Sequence, residues 1–384
     1  MLTSKRSRFS LPRKITYLNC AYMGPLLKTS ERAGVRALRM KNNPASFSTT
    51  DFFDDSASLR AAFAETISLD DPTRVAIIPS VSYGMATVAK NIRISKGEHI
   101  IVASEQFPSN YYSWKRLCDE NSAEVKMISP PNELKERGKI WNERILEAIG
   151  PKTRMVAIGH VHWADGTLFN LSEIRRRTRE VSALLVVDGT QSVGALPFDV
   201  ASMEPDALIV AGYKWLLGPY GLAVAYFGKE FNNGSPLEEN WISRKNSENF
   251  SALVNYTEDY QDGALRYDVG ERSNFIHVSM LLNSIRQINK WGVSNIQEYC
   301  KSISLQPIMR LREYGFWIED DTYRGDHLFG VRLPKEINID SVKSQLSKRN
   351  IFVSFRGDAI RVSPNVYNTE EDMHRLASAL ITLP

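Results

Sequence analysis

Cysteine is scarce in this chain of 384 residues. The three cysteines, Cys20, Cys118 and Cys300, lie far apart, and no two of them have the CxxC spacing. A sparse and odd number of cysteines argues against a disulfide framework and against a cysteine-based zinc site.

Long apolar runs and a strong charge bias are absent too. No stretch reaches the roughly 18 apolar residues of a membrane span, and no apolar segment of the kind that signal peptides carry follows the basic residues 1–6. The 48 basic and 44 acidic residues leave a net charge of only +4, which is too small to argue for nucleic acid. The basic run 175–179 fits the solvated face of an amphipathic helix. We expect a soluble, cytoplasmic protein with no membrane or nucleic-acid partner.

What the sequence does contain is a hydrophobic share of 43%, enough for a full core. Short apolar, β-branched runs alternate with helical patterns, which is typical of a mostly parallel sheet between layers of helices. The predicted strands are 74–78, 99–102, 155–158, 184–187 and 207–210, and the predicted helices between them include 83–91, 110–121 and 171–181. Residues 221–227 predict a further strand, antiparallel to the others. The fold class is therefore α/β.

The composition changes after residue 230. Residues 231–267 are polar and irregular, and a helix is predicted over 276–291. Short strands (328–333, 351–354, 359–362) then alternate with helices (339–348, 370–380), which predicts a small α+β domain. We expect a large domain over 26–270, a small C-terminal domain over 271–384, and an N-terminal segment, 1–25, that packs near the cleft and the small domain.

Several polar motifs follow predicted strands, where the carboxyl ends of strands line the ligand crevice of α/β sheets. The first is residues 79–84, PSVSYG, between a strand and a helix. Hydroxyl side chains and a glycine at a helix N-terminus suit a phosphate. An ordinary helix cap is the commoner explanation of such a turn taken alone.

Asp188 ends a buried apolar strand, and a carboxylate there needs a cationic partner or several hydrogen bonds. A protonated pyridine nitrogen supplies such a partner. A structural aspartate that caps the next turn is at least as common an explanation.

Lys214 follows the apolar run 208–210 and precedes Trp215. A lysine in such surroundings is partly desolvated, and its lowered pKa makes the amine a nucleophile toward an aldehyde and then a general base. The alternative is a lysine whose stem lies along apolar surface and whose charge reaches water. The presence of Asp188 favours the nucleophile.

Two more motifs end strands. Phe107 is placed so that its ring can lie on a cofactor ring, although a core phenylalanine is individually commoner. His160 and His162 share one face of a strand, but no third ligand at metal spacing is evident, so we expect no metal.

The ordered set of motifs resembles the class V aminotransferase group of fold-type I enzymes that use pyridoxal 5′-phosphate (PLP). This group includes cysteine desulfurases, selenocysteine lyases, kynureninase and isopenicillin N epimerase-like proteins. The resemblance runs from about residue 15 to residue 380. It rests on VDGTQSVGALPFDV around Asp188, on AGYKW around Lys214 with the following GPYG, and on the segments 17–25 and 360–372.

The resemblance implies a PLP enzyme that acts on an amino acid through an external aldimine, with Lys214 as the Schiff-base lysine and Asp188 beside the ring nitrogen. The other implied cofactor contacts are Gln191 to the phenolic oxygen, Phe107 on the ring, and Ser82 and Tyr213 at the phosphate. Arg361 matches the arginine that binds the substrate carboxylate. Arg356, in the irregular stretch 354–358, either reaches the pocket or belongs to a surface loop.

The resemblance also implies a homodimer with a shared active site, in which residues 269–274 approach the partner's phosphate. Glu271 and Arg272 depart from the common Gly-Thr pattern there and leave the donor atom open. Cysteine desulfurases carry a cysteine before the carboxylate arginine, and this chain has none between Asn350 and Arg361. A desulfurase that works by persulfide transfer is therefore disfavoured.

Three hypotheses follow. The first is a class V aminotransferase, and the second is an epimerase or a C–S/C–Se lyase without a catalytic cysteine. The third is a protein without turnover, which is either a PLP-holding regulator or a nucleotide binder. The nucleotide version lacks a GxGxxG or P-loop motif at the first strand-to-helix turn.

Overall fold

The computed structural model describes residues 2–382. The strands are β1 (Thr16–Tyr17), β2 (Val75–Ile78), β3 (His99–Ala103), β4 (Glu124–Ile128), β5 (Thr153–Gly159), β6 (Leu184–Asp188), β7 (Ala207–Ala211), β8 (Ala223–Phe227), β9 (Phe329–Arg332), β10 (Ile351–Phe352), β11 (Ser354–Arg356) and β12 (Ala359–Val362). The helices are α1 (Lys28–Met40), α2 (Asp54–Thr66), α3 (Val81–Asn91), α4 (Tyr112–Glu120), α5 (Arg137–Ala148), α6 (Leu171–Glu180), α7 (Val200–Met203), α8 (Phe275–Trp291), α9 (Val293–Glu313), α10 (Ile339–Lys348) and α11 (Glu370–Ile381).

A central sheet of seven strands has the order β2-β8-β7-β6-β5-β3-β4. Strand β8 pairs antiparallel with both β2 and β7, and the remaining neighbours pair parallel. The predicted α/β fold and the predicted antiparallel strand are confirmed. Because every strand except β8 points the same way, the carboxyl ends of β2, β3, β5, β6 and β7 meet at one edge.

Both faces of the sheet are buried under helices, as the apolar strand sequences require. Alternate residues of a strand point to opposite faces. In β6, Leu185 and Val187 belong to one hydrophobic cluster, and Val186 belongs to the other. This two-sided packing fixes the strand register, and with it the side chains that project at the sheet edge.

A smaller antiparallel sheet of order β11-β12-β9 lies in the C-terminal part. The sequence predicts an irregular stretch over 354–358, whereas the structure forms a tight hairpin of β11 and β12, because Gly357 (φ 57°) makes the turn. Near the N-terminus, β1 pairs parallel with β10, with Thr16 opposite Ile351. The polar stretch 231–267 forms only short 3-10 turns in the described part of the chain, as predicted.

Within residues 2–382, no helix combines the length and the apolar character that a membrane crossing requires.

Candidate active site

A cavity of about 210 Å³ opens at the carboxyl edge of the central sheet. Its walls come from the ends of β2, β6 and β7, from the segment that follows β3, and from the segment that leads into β8. Six of the predicted site residues line it, namely Ser82, Phe107, Asp188, Gln191, Tyr213 and Lys214. The two predicted arginines, Arg356 and Arg361, lie beside this cavity and contact one of its walls, Trp163.

Lys214 lies three residues beyond β7 and is only 6% exposed. Its Nζ is 5.3 Å from the ring centre of Phe107 and 5.6 Å from that of Tyr213. Burial lowers the pKa of Lys214 to about 8, against the opposing effect of Asp188 and with a further lowering by Arg361. At pH 7 a pKa of about 8 leaves roughly a tenth of this amine unprotonated, far more than for an ordinary lysine, and the unprotonated amine is the nucleophile.

Asp188 is the last residue of β6, and its carboxylate is buried. Oδ1 accepts a hydrogen bond from the backbone N–H of Thr190 at 3.0 Å, and the Thr190 side chain also lies close to the carboxylate. Burial raises the pKa of Asp188, while the hydrogen bonds from Thr190 and the charge of Lys214 oppose that rise. The carboxylate can thus accept one more cationic N–H from a group in the cavity.

Both the oxygen and the nitrogen of the Gln191 side-chain amide form hydrogen bonds. Trp215 Nε1 donates to Gln191 Oε1 at 2.9 Å, and Gln191 Nε2 donates to the carbonyl of Ala21 at 3.1 Å. An amide nitrogen carries two hydrogens, so Nε2 keeps one N–H for a group in the cavity. On the backbone side, His327 Nε2 lies 2.7 Å from the Gln191 carbonyl, which fixes the loop.

The corner of the cavity at the N-terminus of α3 carries hydroxyl and backbone N–H groups. Ser80 caps this helix by accepting a hydrogen bond from the Tyr83 N–H at 3.2 Å, and the hydroxyls of Ser80 and Ser82 are 2.9 Å apart. Backbone N–H groups and the helix dipole favour a negative charge at this point. Tyr213 lines the same cavity, and burial raises the pKa of Tyr213 to about 12, so its hydroxyl stays a donor.

Arg361 is almost fully buried on β12, with 1% exposure. Its Nη1 donates to the carbonyl of Trp163 at 2.7 Å, and its Nη2 donates to Ser354 Oγ at 3.3 Å. Burial and, to a lesser degree, the neighbouring charge of Arg356 lower the pKa of Arg361 to about 9. No carboxylate within residues 2–382 lies within salt-bridge distance of this guanidinium.

His162 lies among buried polar groups that stabilise the fold. His162 Nδ1 lies 3.0 Å from Asp165 Oδ1, and the same carboxylate accepts a hydrogen bond from Arg137 at 2.8 Å. The described residues contain no group of three or more side chains that could hold a metal ion. His162 thus belongs to a buried polar network under the cavity wall.

Several residues that shape the site were not predicted as site residues from the sequence. Trp163 lines the cavity edge-on to Phe107, with ring centres 5.4 Å apart. Tyr220 also lines it, and its ring centre is 4.7 Å from that of Tyr213. Gly24, from the N-terminal segment, donates its N–H to the Tyr213 carbonyl at 2.9 Å. Gly24 and Tyr220 had a partial signal, since they belong to the segment 17–25 and to the GPYG motif.

Comparison with known proteins shows the family of the chain. The family model described as aminotransferase class-V matches residues 43–376. The chain is 26% identical to an uncharacterized aminotransferase, YcbU, of Bacillus subtilis over 82% of this chain and 80% of that protein. It is 25% identical to isopenicillin N epimerase of Amycolatopsis lactamdurans over 98% of this chain and 96% of that protein.

Among solved structures, one fold match is a variant of C-DES with glycine covalently linked to its PLP cofactor. The TM-score is 0.86, the identity is 19%, and the match covers 100% of both chains. At this identity the match supports the fold.

Proposed function

The chain belongs to the class-V aminotransferase family of PLP-dependent enzymes, and we propose that it is an amino-acid aminotransferase whose PLP lies in the cavity around Lys214. The observation that carries the proposal is the common cavity of Lys214 and Asp188, which are a desolvated amine and a buried carboxylate. When bound, PLP supplies an electron sink for negative charge at the substrate Cα.

The residues of the cavity fit this cofactor along its whole length. Lys214 would hold the aldehyde carbon through Nζ, and Asp188 would accept the ring N–H. The spare N–H of Gln191 faces the same cavity and suits the phenolic oxygen, while Phe107 offers an aromatic face for the ring.

The phosphate end suits the corner at the N-terminus of α3, where Ser82 and Tyr213 present hydroxyls and the helix presents N–H groups. Ser80, which caps the same helix, adds a third hydroxyl to the lining.

Two residues would then handle the substrate. Arg361 would bind the α-carboxylate, because its guanidinium is fixed by Trp163 and Ser354 and its Nε has no hydrogen-bond partner in the described structure. Lys214, once free, would move the proton at the substrate Cα, and its lowered pKa suits a general base near neutral pH.

A persulfide-forming desulfurase has no support in this chain. Cys20, Cys118 and Cys300 are all buried free thiols, and the hairpin before Arg361 contains no cysteine. Burial raises the pKa of Cys20 to about 11, so the thiol of Cys20 stays protonated near neutral pH.

We also propose a homodimer that shares its active sites. A second cavity of about 590 Å³ adjoins the first through Pro79, Gly221 and Leu222, and the segment 269–276 lines it. Two apolar side chains of its lining are exposed, Leu38 (58%) and Trp241 (39%). Light scattering should give twice the chain mass, and Leu38→Glu should lower it if this face is the interface.

The proposed function is tested by absorbance and product analysis. The purified protein should carry a visible absorption band that borohydride reduction removes, and Lys214→Ala should abolish it while the exposed control Lys348→Ala keeps it. An amino-acid panel should then give a keto acid. Wild type that stays colourless with added PLP contradicts the proposal. Solvent deuterium at Cα without a keto acid would indicate epimerisation instead.

A further inference from the structure

The hairpin of β11 and β12 carries two arginines on one face. Ser354 pairs with Arg361 across the hairpin, and Arg356 pairs with Ala359. Residues opposite each other in an antiparallel pair share a face, and residues two apart on a strand share it as well. Arg356 and Arg361 are therefore diagonal neighbours on the same face, at a spacing that long side chains can bridge.

Both arginines contact Trp163, a wall residue of the cavity. Arg361 donates to the Trp163 carbonyl at 2.7 Å, and the Arg356 Cζ lies 5.3 Å from the centre of the Trp163 ring. Arg356 is half-buried and lies directly before the turn, at the side of the cavity that Trp163 forms.

The Arg356 guanidinium has few partners of its own. Its Nη1 donates to the carbonyl of Phe355 at 2.8 Å, and its buried Nε has no hydrogen-bond partner. No carboxylate within residues 2–382 forms a salt bridge with it, and the acid of the turn, Asp358, pairs with Arg332 instead. A partly buried arginine without an anion calls for a ligand that supplies one.

The charge around the cavity is unbalanced in the same direction. Arg356 and Arg361 bring two guanidinium charges to this region, and Asp188 is the one carboxylate among the cavity-lining residues that the structure describes. The α-carboxylate of an ordinary amino acid would pair with Arg361 and leave Arg356 without an anion.

On the basis of the proposed function, we propose that Arg356 determines substrate specificity by binding a second carboxylate. The substrate is then an amino acid whose side chain ends in a carboxylate. Aspartate, glutamate and 2-aminoadipate represent this class. Planar, bidentate recognition of a carboxylate is the task to which a guanidinium is suited.

The test compares each acid with its isosteric amide on the holoenzyme. The rate at which the visible band decays after mixing with an amino acid gives a second-order constant that needs no amino acceptor. We expect the best acid to exceed its amide at least tenfold, and Arg356→Gln to reduce that ratio about tenfold or more while leaving the constant for the amide nearly unchanged. Arg356→Lys should give an intermediate ratio, and the exposed control Lys348→Gln should keep the wild-type ratio.

Binding gives a second readout. Calorimetry on wild-type holoenzyme should detect succinate or glutarate at concentrations where butyrate gives no signal, so the inference stays testable if Arg356→Gln fails to fold. An amide that reacts as fast as its acid overturns the inference, as does an equal loss for acids and amides in Arg356→Gln. These failures differ from failure of the proposed function, in which no amino acid would change the visible band of the wild type.

Discussion

Gly24 packs directly against the backbone carbonyl of Lys214. A Cβ built at position 24 would lie well inside the contact distance of the Lys214 oxygen and 3.1 Å from Leu217 Cδ2. The adjacent hydrogen bond from the Gly24 N–H to the Tyr213 carbonyl keeps the two chains at this separation. The N-terminal segment therefore helps to fix the position of the lysine, although 190 residues of sequence separate them.

The substitution Gly24→Ala should displace Lys214. We expect destabilisation by about 1–3 kcal/mol, as for other overpacked sites, together with weaker retention of PLP. Gly150→Ala is the matched control, because a Cβ at Gly150 meets nothing within 4 Å. Urea unfolding and the ratio of visible to ultraviolet absorbance measure the two effects. Equal behaviour of both variants would show that the contact has no role.

Asp188→Asn should keep the cavity shape and remove the charge. The asparagine oxygen can still accept the hydrogen bond from the Thr190 N–H, but it cannot hold a proton on a ring nitrogen. We expect turnover to fall by about two to four orders of magnitude, in the range of other acid–base groups, while thermal stability changes little. Steady-state kinetics measure the loss, and a less than threefold change would remove Asp188 from the proposed role.

Arg361→Lys should weaken substrate binding. Lysine keeps the charge but lacks the planar fork that contacts both Trp163 and Ser354. Hydrogen bonds to charged groups contribute about 1.5–3 kcal/mol, so KM should rise roughly tenfold to a hundredfold. The visible band should remain, which separates this effect from loss of cofactor. A KM equal to the wild-type value would assign the α-carboxylate to another residue.

Much of the site could be predicted because its chemistry lies where apolar strands end. Asp188 closes β6 and Lys214 follows β7, and parallel strands bring both to one edge. Trp163 and Tyr220 could not be placed in this way. Their position in the cavity depends on how loops fold back over the sheet edge, and no local period encodes that arrangement.

Strand β4 and helix α9 were not predicted from the sequence, and physical reasons explain both failures. Strand β4 lies at the sheet edge, where EVKMI is half-exposed and mixes charged with apolar residues, so it lacks the continuous apolar run of the inner strands. Helix α9 contains Pro307, which usually indicates a helix end. The structure buries Pro307 and continues the helix to Glu313 because this helix packs against α11.

Asp165 should be a major stability determinant. This buried carboxylate accepts hydrogen bonds from Arg137 at 2.8 Å and from Arg332 at 3.4 Å, and it also faces His162. Asp165→Asn would leave the buried Arg137 without an anion and Arg332 with only the exposed Asp358, so we expect a loss of about 3–5 kcal/mol in the free energy of unfolding. Asp119→Asn, at an exposed pair with Lys115, should cost less than about 1 kcal/mol. Urea unfolding of both variants measures the difference, and similar losses would contradict the network.

Two buried histidines should make the fold sensitive to mild acid. Burial, the largest effect at each site, lowers the pKa of His160 to about 3 and that of His327 to about 4. Both rings are therefore neutral in the folded protein at pH 5, whereas in the unfolded chain they titrate near their ordinary value of about 6.5.

Below pH 6.5 the two histidines become protonated in the unfolded state but stay neutral in the folded state. The free energy of unfolding should therefore fall as the pH falls toward the folded pKa values. The slope is roughly 1 kcal/mol per pH unit for each histidine.

His160 is the better residue to replace, because its buried Nδ1 has no hydrogen-bond partner in the described structure, whereas His327 contacts both Gln191 and Gln297. In His160→Leu the loss of stability between pH 7 and pH 5, measured by urea unfolding, should be smaller than in the wild type by roughly 2 kcal/mol. The carboxylates titrate alike in both proteins, so the difference isolates the imidazole, and parallel pH profiles would show that His160 is protonated in the folded state.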